Sequence, residues 1–182
     1  MLDSHLTPEK TMVDKGAVFS PDKTYRYSLR RLWDLSLRPC CFVMLNPSTA
    51  DEEVNDRTIT KCLRFARIWG YGGLIVGNLF AYVATSPRDL YAVKDPVGPE
   101  NDQYLRQLHE QSGITVAAWG ENGKLRSRGY VVMRALTAVK QVAFLQKTRD
   151  GQPEHPLYLK PNTQPRFDFY PEDRKNSTEP NS

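Results

Sequence analysis

The chain has 182 residues, 40% of them hydrophobic, which fits one domain with a sizeable core and leaves little for a second. Its 25 Lys and Arg against 21 Asp and Glu give a formal charge of +4, an excess that permits a phosphate-bearing partner without requiring one. Three cysteines, two of them adjacent, provide neither a disulfide framework nor paired zinc spacing, and no apolar run approaches membrane-spanning length; a cytoplasmic protein without metal, cofactor or membrane is expected.

Residues 1–15 read as a flexible N-terminus without a signal-peptide core. A single α/β domain over 16–170 follows, and the tail 171–182, which has no aliphatic or aromatic residue, reads as disordered. At the start of the domain, AVFS and TYRYSLRRLW flank Pro21-Asp22-Lys23, which predicts an antiparallel hairpin at a sheet edge. Four uninterrupted apolar runs come next, CFVML, LIVGNLF, ITVAAW and QVAFL. Their lack of alternation predicts strands buried on both faces.

Helical periodicity fills the gaps between these runs. In the first gap Ile59, Cys62, Leu63, Ala66 and Trp69 recur at helical spacing, with Asp56 as N-cap and Gly70 or Gly72 as stop. A second helix is predicted over about 100–111 with Tyr104, Leu105 and Leu108 inward. A third is predicted over about 127–140 with Val131, Val132, Ala135, Leu136 and Val139 inward. Strands alternating with helices predict a parallel sheet, whose ligands bind beyond the carboxyl ends of the strands. Chemistry is therefore sought in the loops after the runs.

The first loop opens at Asn46-Pro47, where proline removes a ladder donor and ends the strand. An amide there can orient water or substrate, with Ser48, Thr49 and Asp51 close by; it reads equally as an Asx or Ser/Thr turn into a helix. Asp51, Glu52, Glu53 and Asp56 likewise fit a helix N-terminus. Asn78 interrupts an otherwise apolar strand, so its amide must find protein partners or meet a ligand. His155, in PEHPLYL, is either a loop histidine of no special role or a donor to a developing anion. WGYGGL precedes a strand instead of following one, so it is not a phosphate loop.

The motifs NPSTAD, WGYGG, NLFAY, DPVGPEND and HPLYL resemble the bacterial and phage family known as domain of unknown function 1643. More distantly, the order of an N-P corner, a strand-end Asn, AAWG and HPLYL resembles the uracil-DNA glycosylase superfamily over about residues 42–159. That resemblance implies a three-layer sandwich with a central four-stranded parallel sheet in the order 2-1-3-4 of the apolar runs, plus the N-terminal hairpin. It implies a DNA glycosylase-like enzyme that hydrolyses the N-glycosidic bond of a base, modified or not, in DNA or a nucleotide, acting without metal and as a monomer. Asn46 would position the water, Asp51 would serve as general base and His155 would stabilise the departing base. Pro47, Ser48, Asn78, Phe80 and Tyr82 would surround the base. Lys124, Arg126, Arg128 and Lys160 would hold phosphates while Leu157, Tyr158 and Leu159 wedge into the stack.

This sequence departs from that pattern at Met44-Leu45, which replaces a glycine-led start, and at LYL, which lacks the serine of the last motif. A reshaped base pocket is the expected consequence. The alternatives are a binding module of the same fold that recognises nucleotides or modified DNA without cleaving them, and an interaction protein whose motif residues only build turns.

Overall fold

The computed structural model describes residues 11–48 and 54–168. Asp51 and the tail 171–182 lie outside the described residues, as do residues 1–10 of the N-terminal segment. The strands are β1 (Asp14–Phe19), β2 (Arg26–Leu32), β3 (Cys40–Met44), β4 (Gly73–Asn78), β5 (Ile114–Ala117) and β6 (Ala143–Phe144). The helices are α1 (Arg57–Ile68), α2 (Asp89–Ala92), α3 (Asn101–Gln111) and α4 (Arg128–Thr137), with 3-10 turns at Glu121–Ser127 and Pro156–Tyr158.

All six strands form one sheet in the order β1-β2-β4-β3-β5-β6. The four apolar runs are neighbours within it, and each adjacent pair among them is parallel. The hairpin is no separate appendage to a four-stranded sheet. Its second strand continues the ladder, β2 pairing antiparallel with β4 from Leu29↔Val76 to Leu32↔Gly73, so the sheet is mixed and six-stranded.

Alternation along the buried strands divides the core in two. On one face Phe42, Met44, Leu74, Val76 and Val116 pack against Ile59, Cys62, Phe65 and Ala66 of α1. On the other, Cys41, Val43, Ile75 and Ala117 meet Leu105 and Leu108 of α3 and Val132, Met133 and Leu136 of α4. At Gly77 a Cβ would stand 2.7 Å from Leu105 Cδ2, so a larger residue there would push the leucines of α3 away from β4.

In α4 the inward face differs from the expected one: Val131, Ala135 and Val139 are exposed, while Gly129, Val132, Met133 and Leu136 point in. Gly129 and Gly123 explain the rotation, because both are seated against the Trp119 indole where a side chain would collide.

The pairing of β1 with β2 contains one irregularity that bears on the site. Val18 pairs with Ser28 and Phe19 with Arg26, so Tyr27 is skipped as in a bulge. Tyr27 stacks on Tyr104 of α3, ring centroids 4.9 Å apart. Arg26 instead feels the charges of Asp56 and Arg31, and Arg31 donates to Asn55 just ahead of α1.

At the opposite end of the sheet, fully buried His109 shares a 2.8 Å hydrogen bond between Nδ1 and Thr115 Oγ1, and Ser112 completes the cluster. Burial pushes the His109 imidazole below its ordinary value and Lys140 adds to the shift. A pKa lower in the folded state means that the unfolded chain binds the extra proton, so stability is full above about pH 6.5 and is lost as pH falls below it. Thermal unfolding from pH 8 to pH 5 is expected to show a falling midpoint. His109→Asn should lower the midpoint at pH 8 and flatten this dependence.

Candidate functional site

The carboxyl ends of β4, β3 and β5 stand side by side and carry Asn78, the Asn46-Pro47 corner and Trp119-Gly120. Asn78 pairs with Met44 at the last register position of β3 and β4. Its side chain is 1% exposed, and among the described residues neither Nδ2 nor Oδ1 has a hydrogen-bond partner. The backbone around it is held firmly. Asn101 Nδ2 donates to the carbonyls of Asn78 (2.9 Å) and Leu79 (3.1 Å), and Arg128 Nε donates to Leu79 O (2.9 Å) while its guanidinium pairs with Asp102. Strand alternation, with Leu74 and Val76 in the α1-side core, directs the Asn78 amide to the α1 face.

Asn46 Nδ2 donates to Pro47 O and Ala84 O, both at 3.0 Å, tying the β3 tip to the loop after β4. Both amide hydrogens are thereby used, which leaves Oδ1 as the group to accept from a water or ligand. Ser48 Oγ donates to Asp56 Oδ2 (2.9 Å), and Asp56 Oδ1 caps α1 by accepting from Ile59 N (2.7 Å). The predicted N-cap is therefore present, and it also anchors the loop that carries Ser48.

His155 precedes the Pro156–Tyr158 turn, which packs on α1. Its Cβ lies 3.8 Å from where a Gly120 side chain would begin, so it stands at the β5 tip. Nδ1 accepts from Leu157 N at 3.4 Å, and burial pushes the imidazole below its ordinary value against the opposing carboxylates of Glu154 and Asp56. A neutral ring that accepts at Nδ1 carries its proton on Nε2, where it can be donated.

Other predicted site residues are employed differently. Phe80 is fully buried in the α3–α4 core. Pro47 is buried, and Tyr82 packs edge-on to Tyr25 with centroids 6.2 Å apart. Arg128, expected to meet phosphate, is 6% exposed and braces the β4 end. Arg126 donates to Lys94 O and Val93 O, and Lys124 pairs with Glu121 and Asp150. Leu157, Tyr158 and Lys160 are exposed beside His155, Tyr158 most of all at 78%.

Sequence reasoning missed Arg26 and Arg31, which are 3% and 1% exposed. Arg31 Nε donates to Asn55 Oδ1 (3.0 Å) and Nη1 to Arg30 O (2.8 Å). Burial pushes the Arg26 guanidinium down to about 10; Asp56 opposes the shift and Arg31 adds to it. The available signal was three arginines in a short β-prone run, more than an edge strand needs for solubility. Among the described residues no group of three or more His, Cys, Asp and Glu is placed to hold a metal, and no helix is long and apolar enough to cross a membrane.

These features define a three-layer α/β protein with polar side chains gathered at the carboxyl ends of its parallel strands. Residues 26–157 match the family described as Protein of unknown function (DUF1643), and the chain belongs to that family. No curated protein and no solved structure matches it.

The anchoring of the β4 end is directly measurable. Asn101→Ala leaves buried carbonyls short of a donor and should cost about 2 kcal/mol in urea unfolding. Lys124→Ala, which removes only exposed ion pairs, should leave the midpoint nearly unchanged.

Proposed function

We propose that the strand-end site recognises a nucleobase and hydrolyses its N-glycosidic bond, the fold being of uracil-DNA glycosylase type. The observation that carries this reading is the Asn78 amide, buried with both polar atoms unpartnered on a backbone held by Asn101 and Arg128. A protein retains such an amide at a cost in stability, and a base edge supplies the matching donors and acceptors.

In this reading the bond from the sugar to the base nitrogen breaks and its electron pair leaves with the base. His155 Nε2–H donates to the departing anion. A water held by Asn46 Oδ1 adds to the sugar cation and loses a proton to solvent. No metal enters the reaction. The substrate is better matched by a nucleotide than by duplex DNA, because Lys124, Arg126 and Arg128 are engaged with carboxylates and carbonyls of the protein itself.

One observation favours the alternative, a module that binds without cleaving. Both oxygens of Asp56, a carboxylate within electrostatic reach of His155, already accept hydrogen bonds from Ser48 and Ile59.

The test is a mass-spectrometric assay for free base after incubation with nucleotides and with single- and double-stranded DNA bearing normal and modified bases. Base release is expected, about a hundredfold slower in His155→Ala. Asn46→Ala should lose rate with little change in affinity, since its Oδ1 acts mainly in the transition state. Binding without release by the wild type would establish the module reading instead.

A further inference from the structure

Resting on that reading, we propose that the outer face of α1, with the Pro156–Tyr158 turn beside it, binds single-stranded nucleic acid, so that the base offered to Asn78 belongs to an unpaired strand. Four of the twelve residues of α1 are Arg or Lys and none is Asp or Glu. That one helix carries as much positive charge as the whole chain has in excess, +4. On the other face of the sheet, α3 mixes Asp102 and Glu110 with Arg106, the pattern of a helix whose charges serve solvation.

Helical phase sets Arg57, Lys61 and Arg64 in one row on the solvent side, with successive rises of roughly 6 and 4.5 Å. Arg57 and Arg64 are exposed, and Lys61 is half-buried with its ammonium over the Phe65 ring, 5.6 Å from the centroid. Like charges at these spacings repel, and Arg57 stands in the first turn, where the helix dipole disfavours a cation. Among the described residues no carboxylate forms an ion pair with any of the three. A row of cations that weakens its own helix and that the protein leaves without a counter-charge is complementary to an external polyanion.

The row starts at the site, because Asp56, the cap of α1, lies within electrostatic reach of His155. The Pro156–Tyr158 turn packs on α1, and Leu159 is buried with Ile59, Cys62 and Phe65 in the α1-side core. Leu159 is therefore no wedge, and its neighbours Tyr158 and Lys160 are the residues that face solvent. The Tyr158 ring, 78% exposed, has its centroid 5.8 Å from that of the His155 imidazole. A ring open to water beside the proposed proton donor is a stacking platform for an unpaired base, which a paired base inside a duplex cannot use. One row of cations with one platform fits one nucleic-acid strand. Lys124 and Arg126, in the turn after β5, are held by the protein and offer no second row.

The experiment is fluorescence anisotropy of the full chain with short labelled single-stranded DNA and RNA of mixed sequence, from about 50 to 200 mM salt. The matching duplex, polyphosphate and polyglutamate serve as competitors. The wild type should prefer at least one single strand to every competitor by about tenfold or more. Lys61→Gln/Arg64→Gln should weaken that binding about tenfold and flatten the dependence of log affinity on log salt by about 1.4, the share of two single-strand phosphates. Arg106→Gln/Arg134→Gln removes the same charge from exposed positions of α3 and α4 and should change neither quantity. Tyr158→Ala should weaken binding with the salt slope intact. If Lys61→Gln disturbs the packing on Phe65, Arg57→Gln/Arg64→Gln, at two exposed positions, takes its place. Equal weakening by the α1 pair and the α3–α4 pair overturns the proposal, and so does a competitor that binds as tightly as the single strand, or no binding of single strands at all. Calorimetric titration of the wild type and Lys61→Gln/Arg64→Gln with nucleosides judges the base reading apart. Equal nucleoside binding by both upholds that reading even where the strand proposal fails, whereas strand binding with these contrasts and no nucleoside binding overturns the base reading alone.

Discussion

The end of β4 is the constraint around which the rest of the site is arranged. Asn101 from α3 and Arg128 from α4 converge on the carbonyls of Asn78 and Leu79, although they lie 22 to 49 residues away in sequence. The backbone is thereby satisfied where the strand leaves its ladder, as buried carbonyls require. The Asn78 side chain, in contrast, has no partner. A tip that is rigid in its backbone and unsatisfied in its side chain is what a recognition group needs, since little ordering entropy remains to be lost when a ligand arrives.

Electrostatics divides the molecule by depth. Of the surface cations expected to follow a nucleic-acid backbone, Lys124 is spent on Glu121 and Asp150 and Arg126 on the carbonyls after α2, while Lys160 is exposed. The buried cations Arg26 and Arg31 lie instead on the α1 side, near Asp56 and the start of α1. Net charge alone does not reveal this, because +4 for the chain is the same whether arginines face solvent or the interior. His155 completes the pattern as a neutral donor, kept so by burial despite two nearby carboxylates.

Much of this was legible from local signals. The four apolar runs, the hairpin around Pro21-Asp22 and helix α1 with its Asp56 cap follow from patterns spanning a few residues, where propensity and periodicity act. That Asn46, Asn78 and His155 stand at one end of the sheet follows from parallel connectivity, which gathers strand ends. The rest depended on contacts distant in sequence. The face of α4 was misjudged because aliphatic residues lie on both of its sides, and the choice is made by the Trp119 ring against Gly123 and Gly129. That Phe80 and Arg128 are buried is not legible either, because an aromatic or an arginine near a motif looks the same in sequence whether it turns outward or into the core. The Tyr27 bulge, which separates Arg26 from its neighbour, leaves no compositional mark.

The central claim is that Asn78 is kept for a ligand and not for the fold, and one substitution tests it most directly. Asn78→Leu replaces an unpartnered buried amide with the apolar side chain nearest in shape. If the amide serves only recognition, urea unfolding should show the variant more stable than wild type, by about 1 kcal/mol, while nucleoside binding is lost. A variant that is markedly less stable yet still binds nucleosides would show that the amide supports the structure, and would contradict the account.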